Sequence, residues 1–472
     1  MRAAGDIVLL AVYELGHQPL SLASPVAFLK RAGFSPVAID LSIENLDLSR
    51  VSNAKLVAIS TPMHTAMRLA VPVAREIRSI NPNAHICFYG LYAYLNANYL
   101  LSSVADSVLA GEYEQALVDL ALRLEAQDSA QHDRSGIFTS GPPSPILTKL
   151  NFMLPHRESL PPIEMYAALR HEGRLRKAGY VEATRGCLHT CTHCPIPPVY
   201  GGRFFVVPKD VVVEDIRQQV NAGATHITFG DPDFLNGPGH VLKILRAVHE
   251  EFPFLTFDAT IKIEHIIEKR DLFTELRELG CIFVVSAVES VNEDVLRNLE
   301  KGHTRQDVEE ALSILRQNDI EMNPSLLPFT PWETLDSFIE LLHFVEDHDL
   351  IPNVSPVHYS IRLLVPPGSL VLPKLEQMGV LGALDEESFT YVWSHPDTRM
   401  DELYHEISVL VQEMVSQNKT NYEIFDRLKA VAYAKAGLPI PDAPVRNSYR
   451  EAPGLTEPWY CCAEPLNNNL RC

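Results

Sequence analysis

The stretch Arg185-Gly-Cys-Leu-His-Thr-Cys-Thr-His-Cys-Pro195 decides the fold of this chain, because it places three cysteines in one short loop. Cys187, Cys191 and Cys194 follow a Cys-x3-Cys-x2-Cys spacing and come directly after a strand-like run at 178–184. Closely spaced thiolates of this kind hold iron–sulfur clusters. Three cysteines leave the fourth iron of a cubane free to bind another molecule. The loop therefore predicts a [4Fe–4S] cluster with one open iron.

Zinc is the alternative metal for this loop. Soft thiolates select zinc as well as iron–sulfur clusters, and His189 or His193 could complete a zinc site. Structural zinc, however, takes four ligands that usually come as two separated pairs. The single run of three cysteines therefore favours the cluster.

Apolar strand-like runs and amphipathic helical segments alternate from residue 176 to about 370. Such alternation predicts a partial (β/α)6 barrel, a variant of the α/β class whose chemistry lies at the carboxyl ends of the strands. The predicted strands are 179–184, 226–230, 255–260, 282–287, 321–326 and 357–364, and the predicted helices include 209–222, 239–251 and 334–347.

Polar residues stand at the ends of these predicted strands. Asp231 and Asp233 follow the second strand, Lys262 follows the third, Glu289 follows the fourth, and Arg362 lies within the sixth. Any one of them could equally form a structural salt bridge or cap a helix. As a set on one rim, they predict a pocket for a cofactor and a substrate.

The cysteine loop, its place after a first strand and the pattern that follows resemble the radical S-adenosylmethionine (SAM) superfamily. The resemblance implies that Cys187, Cys191 and Cys194 are the cluster ligands and that the open iron binds SAM. It also implies that the residues after the second strand bind the SAM amino group. A small-molecule substrate and an electron donor, such as a reductase, a flavodoxin or a ferredoxin, are the expected partners.

Residues 1–125 carry a separate alternating pattern, with strands predicted at 6–12, 36–40, 56–60, 86–89 and 107–110 and helices at 21–33 and 66–80. This pattern predicts a doubly wound parallel sheet. It resembles the cobalamin-binding domain that precedes the barrel in many radical SAM enzymes. The Asp-x-His-x-x-Gly motif is absent, so cobalamin binding and a degenerate packing domain both stay open. Ser60, Thr61, His64 and Gly90 are the candidate contacts.

The C-terminal tail is the second informative stretch, and its sequence Pro-Trp-Tyr-Cys-Cys-Ala-Glu-Pro contains Cys461 and Cys462, with Cys472 ten residues further on. Exposed thiols are readily oxidised, so the presence of three cysteines in this tail indicates that they have a function. They could hold an auxiliary cluster with Cys281, act as a redox pair, or capture a thiophilic substrate such as trivalent arsenic. An incidental exposed tail is the remaining alternative.

The Cys-Cys-Ala-Glu-Pro run resembles the tail of the CUAEP/CCAEP-tail radical SAM proteins, some of which carry selenocysteine where this chain has Cys462. That resemblance implies the chemistry of arsinothricin biosynthesis. In it the 3-amino-3-carboxypropyl group of SAM moves onto arsenite to give hydroxyarsinothricin, and Cys461, Cys462 and Cys472 would hold the arsenic. The alternative is a cobalamin-dependent radical SAM methyltransferase acting on a small natural product. A non-catalytic metal sensor would require a vestigial cluster motif, yet all three cysteines are present.

Bulk composition limits the function classes for the 472 residues. A net charge of −20 argues against nucleic-acid binding. No apolar run reaches the roughly 18 residues of a membrane span, and eight cysteines fit reduced cytosolic thiols. We therefore expect a cytoplasmic enzyme without nucleic-acid or membrane partners. Its predicted parts are the front domain, a linker at 126–175, the barrel at 176–370, a helical region at 371–437 and the tail at 438–472.

Overall fold

The computed structural model of the protein describes residues 1–126, 137–138, 144–440, 442 and 450–457. The front domain contains a six-stranded sheet in the order β2-β1-β3-β4-β5-β6, in which the first five strands are parallel. All five predicted strands are confirmed. The strands are β1 Ile7–Ala11, β2 Val37–Asp40, β3 Leu56–Ser60, β4 His85–Tyr89, β5 Ser107–Leu109 and the antiparallel β6 Ile137–Phe138.

Helices cover both faces of this sheet, because its strands are continuous apolar runs that must be buried on each side. The helices are α1 Leu20–Arg31, α2 Leu48–Val51, α3 His64–Ile80, α4 Leu91–Leu95, α5 Ala97–Ser103 and α6 Glu114–Ala126. The doubly wound fold predicted for residues 1–125 is therefore confirmed.

A second, seven-stranded sheet has the order β14-β13-β12-β11-β8-β7-β17. The five strands from the edge strand β14 to β8 are parallel, and β7 and β17 continue the sheet in antiparallel fashion. Asn323 on β14 donates a hydrogen bond of 2.8 Å to the carbonyl of Pro453, so the two sheet edges approach each other and the barrel is nearly closed. The strands are β7 Ala168–His171, β8 Arg174–Val181, β11 His226–Phe229, β12 Thr256–Thr260, β13 Cys281–Glu289, β14 Glu321–Leu326 and β17 Gly454–Leu455.

The sixth predicted barrel strand, 357–364, is wrong. Pro356–Ser360 form a short 3₁₀ helix, and a single parallel bridge between Phe329 and Arg362 takes the place of a strand. Proline lacks the amide donor of a sheet ladder, which explains why this apolar run does not extend the sheet. The predicted linker was also too long, because β7 and the start of β8 already belong to the barrel sheet.

Helices follow the parallel strands and bury their apolar faces in one core with them. A capping box at Thr334 begins the helix that was predicted at 334–347. These helices are α7 Pro197–Tyr200, α8 Lys209–Asn221, α9 Pro238–Glu251, α10 Ile263–Glu268, α11 Phe273–Glu278, α12 Glu293–Asn298, α13 Arg305–Gln317 and α14 Leu335–Asp347, and the short strands β9 Thr184–Gly186 and β10 Phe204–Val206 pair beside them.

The region 371–437 is only partly helical. α15 Leu372–Met378 is followed by an antiparallel hairpin of β15 Leu381–Asp385 and β16 Thr390–Trp393, where the sequence predicted helix. Two long helices, α16 Thr398–Ser416 and α17 Asn421–Lys435, then pack into the barrel core. Within the described ranges, no helix combines the length and apolarity needed to cross a lipid bilayer.

Candidate active site

The cysteine loop is anchored at both ends by backbone pairing. β9 ends at Gly186 and pairs with β10, so the chain leaves and returns at one point. Gly186 has a φ of +80°, and a Cβ there would lie 2.5 Å from the carbonyl oxygen of Arg203. Cys187 and Cys191 are buried and Cys194 is half-buried, and none of the three forms a disulfide. The sequence therefore folds this loop around its thiols.

The spread of the thiols bears on the choice of metal. Within the described chain, the one set of His, Cys, Asp or Glu compact enough for a single ion, with ligand atoms within 4.8 Å of one another, is His189, Asp233 and His265. The three loop thiols do not form such a set. Tetrahedral zinc requires Zn–S distances of about 2.3 Å, and hence sulfurs about 4 Å apart.

Polar groups around the loop suit a cluster. The side-chain nitrogen of Asn236 is buried beside the thiol of Cys187 and has no nitrogen or oxygen partner in the described structure. Burial of Lys301 by itself would lower its pKa, but the attraction of Glu289 and of the thiols of Cys191 and Cys194 outweighs burial and raises the pKa. A free N–H donor and a fixed cation beside the thiols match the demands of an anionic iron–sulfur centre.

Asp233 is the hub of the rim next to the loop. Its carboxylate lies 3.1 Å from Nε2 of His189 and 2.6 Å from Nδ1 of His265, and the amide of Lys262 donates to it at 3.3 Å. Burial would raise the pKa of Asp233, but the two histidines outweigh burial and lower it to about 2. Asp233 therefore stays ionised, and it ties the cluster loop to the segment after β12. The ammonium of Lys262 is itself paired with Glu264 at 3.1 Å.

Glu289 forms the opposite side of the rim. Its carboxylate lies 3.1 Å from the ammonium of Lys301 and 3.3 Å from Nε2 of His193. Burial would raise the pKa of Glu289, but Lys301 and His193 lower it below the ordinary range. Its φ is +65°, a left-handed conformation that a side chain adopts at a strain cost and that is common at functional sites. His189 and His193 are thus both turned toward carboxylates.

Two of the predicted cofactor contacts have other partners. Asp231 accepts hydrogen bonds from the amide of Ala183 at 2.9 Å and the hydroxyl of Thr184 at 2.6 Å, so it positions the strand that leads into the loop. Arg362 pairs with Asp401 at 2.8 Å and stacks over Trp393 at 3.6 Å. We assign Asp231 to loop positioning and Arg362 to packing of the C-terminal helices. The sequence missed their roles because each partner is distant along the chain or across the sheet.

A cavity of about 450 Å³ occupies the barrel lumen. Thr260 lines the cavity and stands two residues before Lys262 of the rim. Two residues of extended chain span about 7 Å, so the cavity wall at Thr260 lies within about that distance of Lys262. The backbone of Gly230 packs directly against the side chain of Tyr180, since a Cβ at Gly230 would lie 1.9 Å from the tyrosine hydroxyl oxygen. The sequence analysis did not single out the lumen residues, although their alternation along each strand was the available signal. Among the residues that line the cavity are His17, Thr228, Asp258, Thr260, Phe283, Asn323 and Ser325.

The cluster loop is joined to the front domain by a buried cation. Arg185 lies 2.6 Å from Glu114, 3.5 Å from Glu112 and 3.1 Å from Glu182. Glu112 also accepts a hydrogen bond of 3.1 Å from the hydroxyl of Tyr200. Burial raises the pKa of Glu112 to about 7 against the lowering effect of Arg185. The negative charges of three carboxylates are therefore compensated by one guanidinium, which lies two residues before Cys187.

The carboxyl edge of the front sheet is covered by the β15–β16 hairpin. Ser60, Thr61 and His64 are at most 3% exposed. The carbonyl of Ser388 lies 2.7 Å from Nε2 of His64, and Phe389 is buried in the front-domain core with its ring 5.2 Å from that of Tyr99. The hairpin tip thus occupies the edge where a doubly wound sheet binds its ligand. The hairpin tip therefore covers the candidate cobalamin contacts in this structure.

The tail cysteines Cys461, Cys462 and Cys472 lie outside the described residues. The segment before them is anchored on the cavity. Arg450 pairs with Glu321 at 2.8 Å, the amide of Thr456 donates to the carbonyl of Ala168 at 2.8 Å, and Glu457 accepts from the hydroxyl of Tyr13 at 2.9 Å. Thr456 and Glu457 line the cavity. Cys281, the proposed partner of the tail thiols, is fully buried at the amino end of β13, which makes it a core residue.

Comparison with known proteins identifies the central part of the chain. Residues 181–345, which begin just before the cysteine loop and end in α14, match the model of the Radical SAM superfamily. The match is to the radical SAM domain and covers residues 181–345 only. Such a domain uses a [4Fe–4S] cluster, as the cysteine spacing predicted, and SAM, as the resemblance implied. The radical SAM domain therefore accounts for the cluster loop and its rim.

Curated relatives of the chain are distant. A hopanoid C-3 methylase of Methylococcus capsulatus is 23% identical over 67% of this chain and 62% of its own length. An uncharacterised methyltransferase of Pyrococcus horikoshii is 23% identical over 70% of this chain and 74% of its own length. The chain spans 39% and 62% of the lengths of the first two curated relatives that it matches.

Solved structures share the fold across the front domain and the barrel. The cobalamin-dependent SAM radical enzyme OxsB, with aqua-cobalamin and SAM bound, superposes with a TM-score of 0.68 at 13% identity, over 88% of this chain and 67% of OxsB. The radical SAM methyltransferase TsrM of Kitasatospora setae, with tryptophan and a SAM analogue bound, gives a TM-score of 0.63 at 17% identity, over 80% of this chain and 77% of TsrM. This chain therefore has the two-domain fold of those enzymes.

Proposed function

We propose that this protein is a radical SAM transferase that moves a methyl group from SAM to a small polar acceptor held in the barrel lumen. The radical SAM domain, the relatives that are methylases and the shared two-domain fold support methyl transfer. The observation that carries the proposal is the thiol loop with the charged rim beside it, together with a cavity in the barrel lumen whose lining residue Thr260 stands two residues before Lys262 of that rim.

The residues of the site have separate tasks in this proposal. Cys187, Cys191 and Cys194 would hold the cluster, which when bound supplies the electron that breaks a carbon–sulfur bond of SAM. Asp233 remains an anion through its two histidines and is suited to bind the SAM ammonium. Lys301 provides a fixed positive charge beside Cys191 and Cys194, which suits an anionic cluster held by the loop.

Cobalamin binding at the front domain would require the hairpin tip to move away from the edge of the front sheet. OxsB and TsrM have structures with cobalamin bound. In this chain the contact of Ser388 with His64 and the burial of Phe389 would have to be broken first. The front domain as folded acts as a wall for the cavity, to which it contributes Leu15 and His17.

A second candidate is transfer of the 3-amino-3-carboxypropyl group of SAM to trivalent arsenic, the reaction of arsinothricin biosynthesis. Its support is the tail sequence, since Cys461, Cys462 and Cys472 offer the three thiolates that arsenic prefers. Glu457, four residues before Cys461, is fixed at the cavity. Four residues of extended chain reach at most about 14 Å, so this anchor keeps the first tail thiols within reach of the lumen.

The two candidates leave different products from SAM. Anaerobic turnover of the reconstituted protein with SAM, a reductant and arsenite should be followed by mass spectrometry, with and without hydroxocobalamin. Methyl transfer predicts S-adenosylhomocysteine, with or without 5′-deoxyadenosine, while arsenic stays inorganic. Aminocarboxypropyl transfer predicts methylthioadenosine and an arsenic–aminobutyrate product, which serine at all three tail positions should abolish. Absence of any SAM cleavage would contradict both candidates.

A further inference from the structure

Asp258 is a buried carboxylate in the wall of the lumen cavity. It lies at the middle of β12, is 3% exposed and lines the cavity together with Thr228 and Phe283. A carboxylate in such a position is normally paired with a cation, because removing a charge from water is expensive.

The partners of Asp258 all approach one of its two oxygens. Oδ1 accepts hydrogen bonds of 2.8 Å from Nε2 of His226 and 2.7 Å from the hydroxyl of Thr228. In the described part of the chain, no donor lies within hydrogen-bond distance of Oδ2, and no lysine or arginine lies within 4 Å of the carboxylate. A ligand in the cavity, whose wall Asp258 lines, can therefore supply the donor that the second oxygen lacks.

The histidines near Asp258 do not supply the missing charge. Burial lowers the pKa of His226, whose other nitrogen is bonded to the hydroxyl of Thr256 at 2.8 Å. Burial also lowers the pKa of His17, on the front-domain side of the cavity, to about 4. Both rings are neutral at physiological pH, which leaves the negative charge of Asp258 without a compensating cation.

We propose that Oδ2 of Asp258 binds the ammonium group of the acceptor, so that the lumen takes a small amine-bearing molecule. Only the identification of the cavity as the acceptor site rests on the proposed function. The rest of the wall contains neutral groups together with the charged side chains of Arg170, Lys419 and Glu457. Thr260, Asn323 and Ser325 are neutral hydrogen-bonding groups, and Phe283 adds an aromatic surface to the cavity. The volume of about 450 Å³ lies in the range of small-molecule pockets.

A structural role for Asp258, as a hydrogen-bond acceptor for His226 alone, is the competing explanation. The variant Asp258→Asn separates the two, because its amide oxygen can still accept from His226 and Thr228 while the charge is gone. Thermal melting of the full chain is measured in n-butylammonium chloride and in sodium chloride at equal ionic strength. Thr228→Val serves as the matched control, since it loses a donor to the same carboxylate but keeps the charge.

The proposal predicts that butylammonium raises the melting temperature of the wild type and of Thr228→Val by about 2 °C or more relative to sodium, and leaves Asp258→Asn unchanged. If Asp258→Asn does not fold, Asp258→Ser provides the uncharged cavity. An equal response of the charged and uncharged variants, or no response of the wild type, would overturn the proposal. SAM cleavage is not used in this measurement, so its outcome is independent of the proposed reaction.

Discussion

Replacing Cys191 by alanine is expected to abolish both the cluster and SAM cleavage. The loop offers three thiols, each of which would hold one iron of a cubane, and the remaining described cysteines lie in strands β4 and β13. Loss of one ligand leaves two irons without protein thiolate, so we expect iron content to fall from about four per chain to below one. Iron and sulfide analysis and the visible absorbance after anaerobic reconstitution measure this.

Cys281→Ala is the matched control for the loop variant. Cys281 is fully buried in the barrel core, and burial raises the pKa of its thiol, as expected for a small core residue that binds no metal. The control should keep four irons per chain and lose only a modest amount of stability. Iron retention in Cys191→Ala, or iron loss in Cys281→Ala, would show that the ligand set is assigned incorrectly.

Replacing Arg185 by methionine should destabilise the protein by about 3–5 kcal/mol, because the carboxylates of Glu112, Glu114 and Glu182 would remain buried without their shared cation. Chemical denaturation at pH 7.5 measures the free energy of unfolding. Arg217→Met is the control, since its pairs with Glu214 and Glu251 are half-exposed and worth less than about 1 kcal/mol.

The effect of Arg185→Met should depend on pH. Glu112 has a pKa of about 7 in the folded protein against 4.5 in the unfolded chain. The folded state therefore holds a proton that the unfolded state releases, and the stability from this group falls as the pH rises from about 4.5 to about 7. Without the guanidinium the folded pKa values rise further, so the loss should be larger at pH 8 than at pH 5. An equal loss at both pH values would contradict this electrostatic account.

The sequence predicted the parts of the fold that local patterns determine. Leu56–Ser60 and Glu321–Leu326 have the predicted bounds, since apolar runs between turn signals must be buried in parallel sheets. It failed at 357–364 and at the β15–β16 hairpin. In the first case a proline directs an apolar run into a 3₁₀ helix, and in the second a short two-stranded unit was taken for helix.

The sequence predicted only those residues of the candidate site that stand at the ends of predicted strands. The thiol loop, Asp233 and Glu289 were found from their place after strands, but their pairing with His265 and Lys301 depends on contacts between different strand ends. Asp258 lies inside a strand rather than at its end, so its position along the sequence does not mark it as a site residue. The hairpin tip on the front sheet joins residues about 320 positions apart, which no local pattern can reveal.

The central claim is that the loop holds a cluster whose open iron binds SAM, and electron paramagnetic resonance tests it most directly. The reduced protein is examined alone and after addition of SAM labelled with ¹⁵N in its amino group. We predict that SAM changes the cluster spectrum and that a ¹⁵N hyperfine coupling appears. A cluster spectrum that SAM leaves unchanged, without nitrogen coupling, would contradict the account.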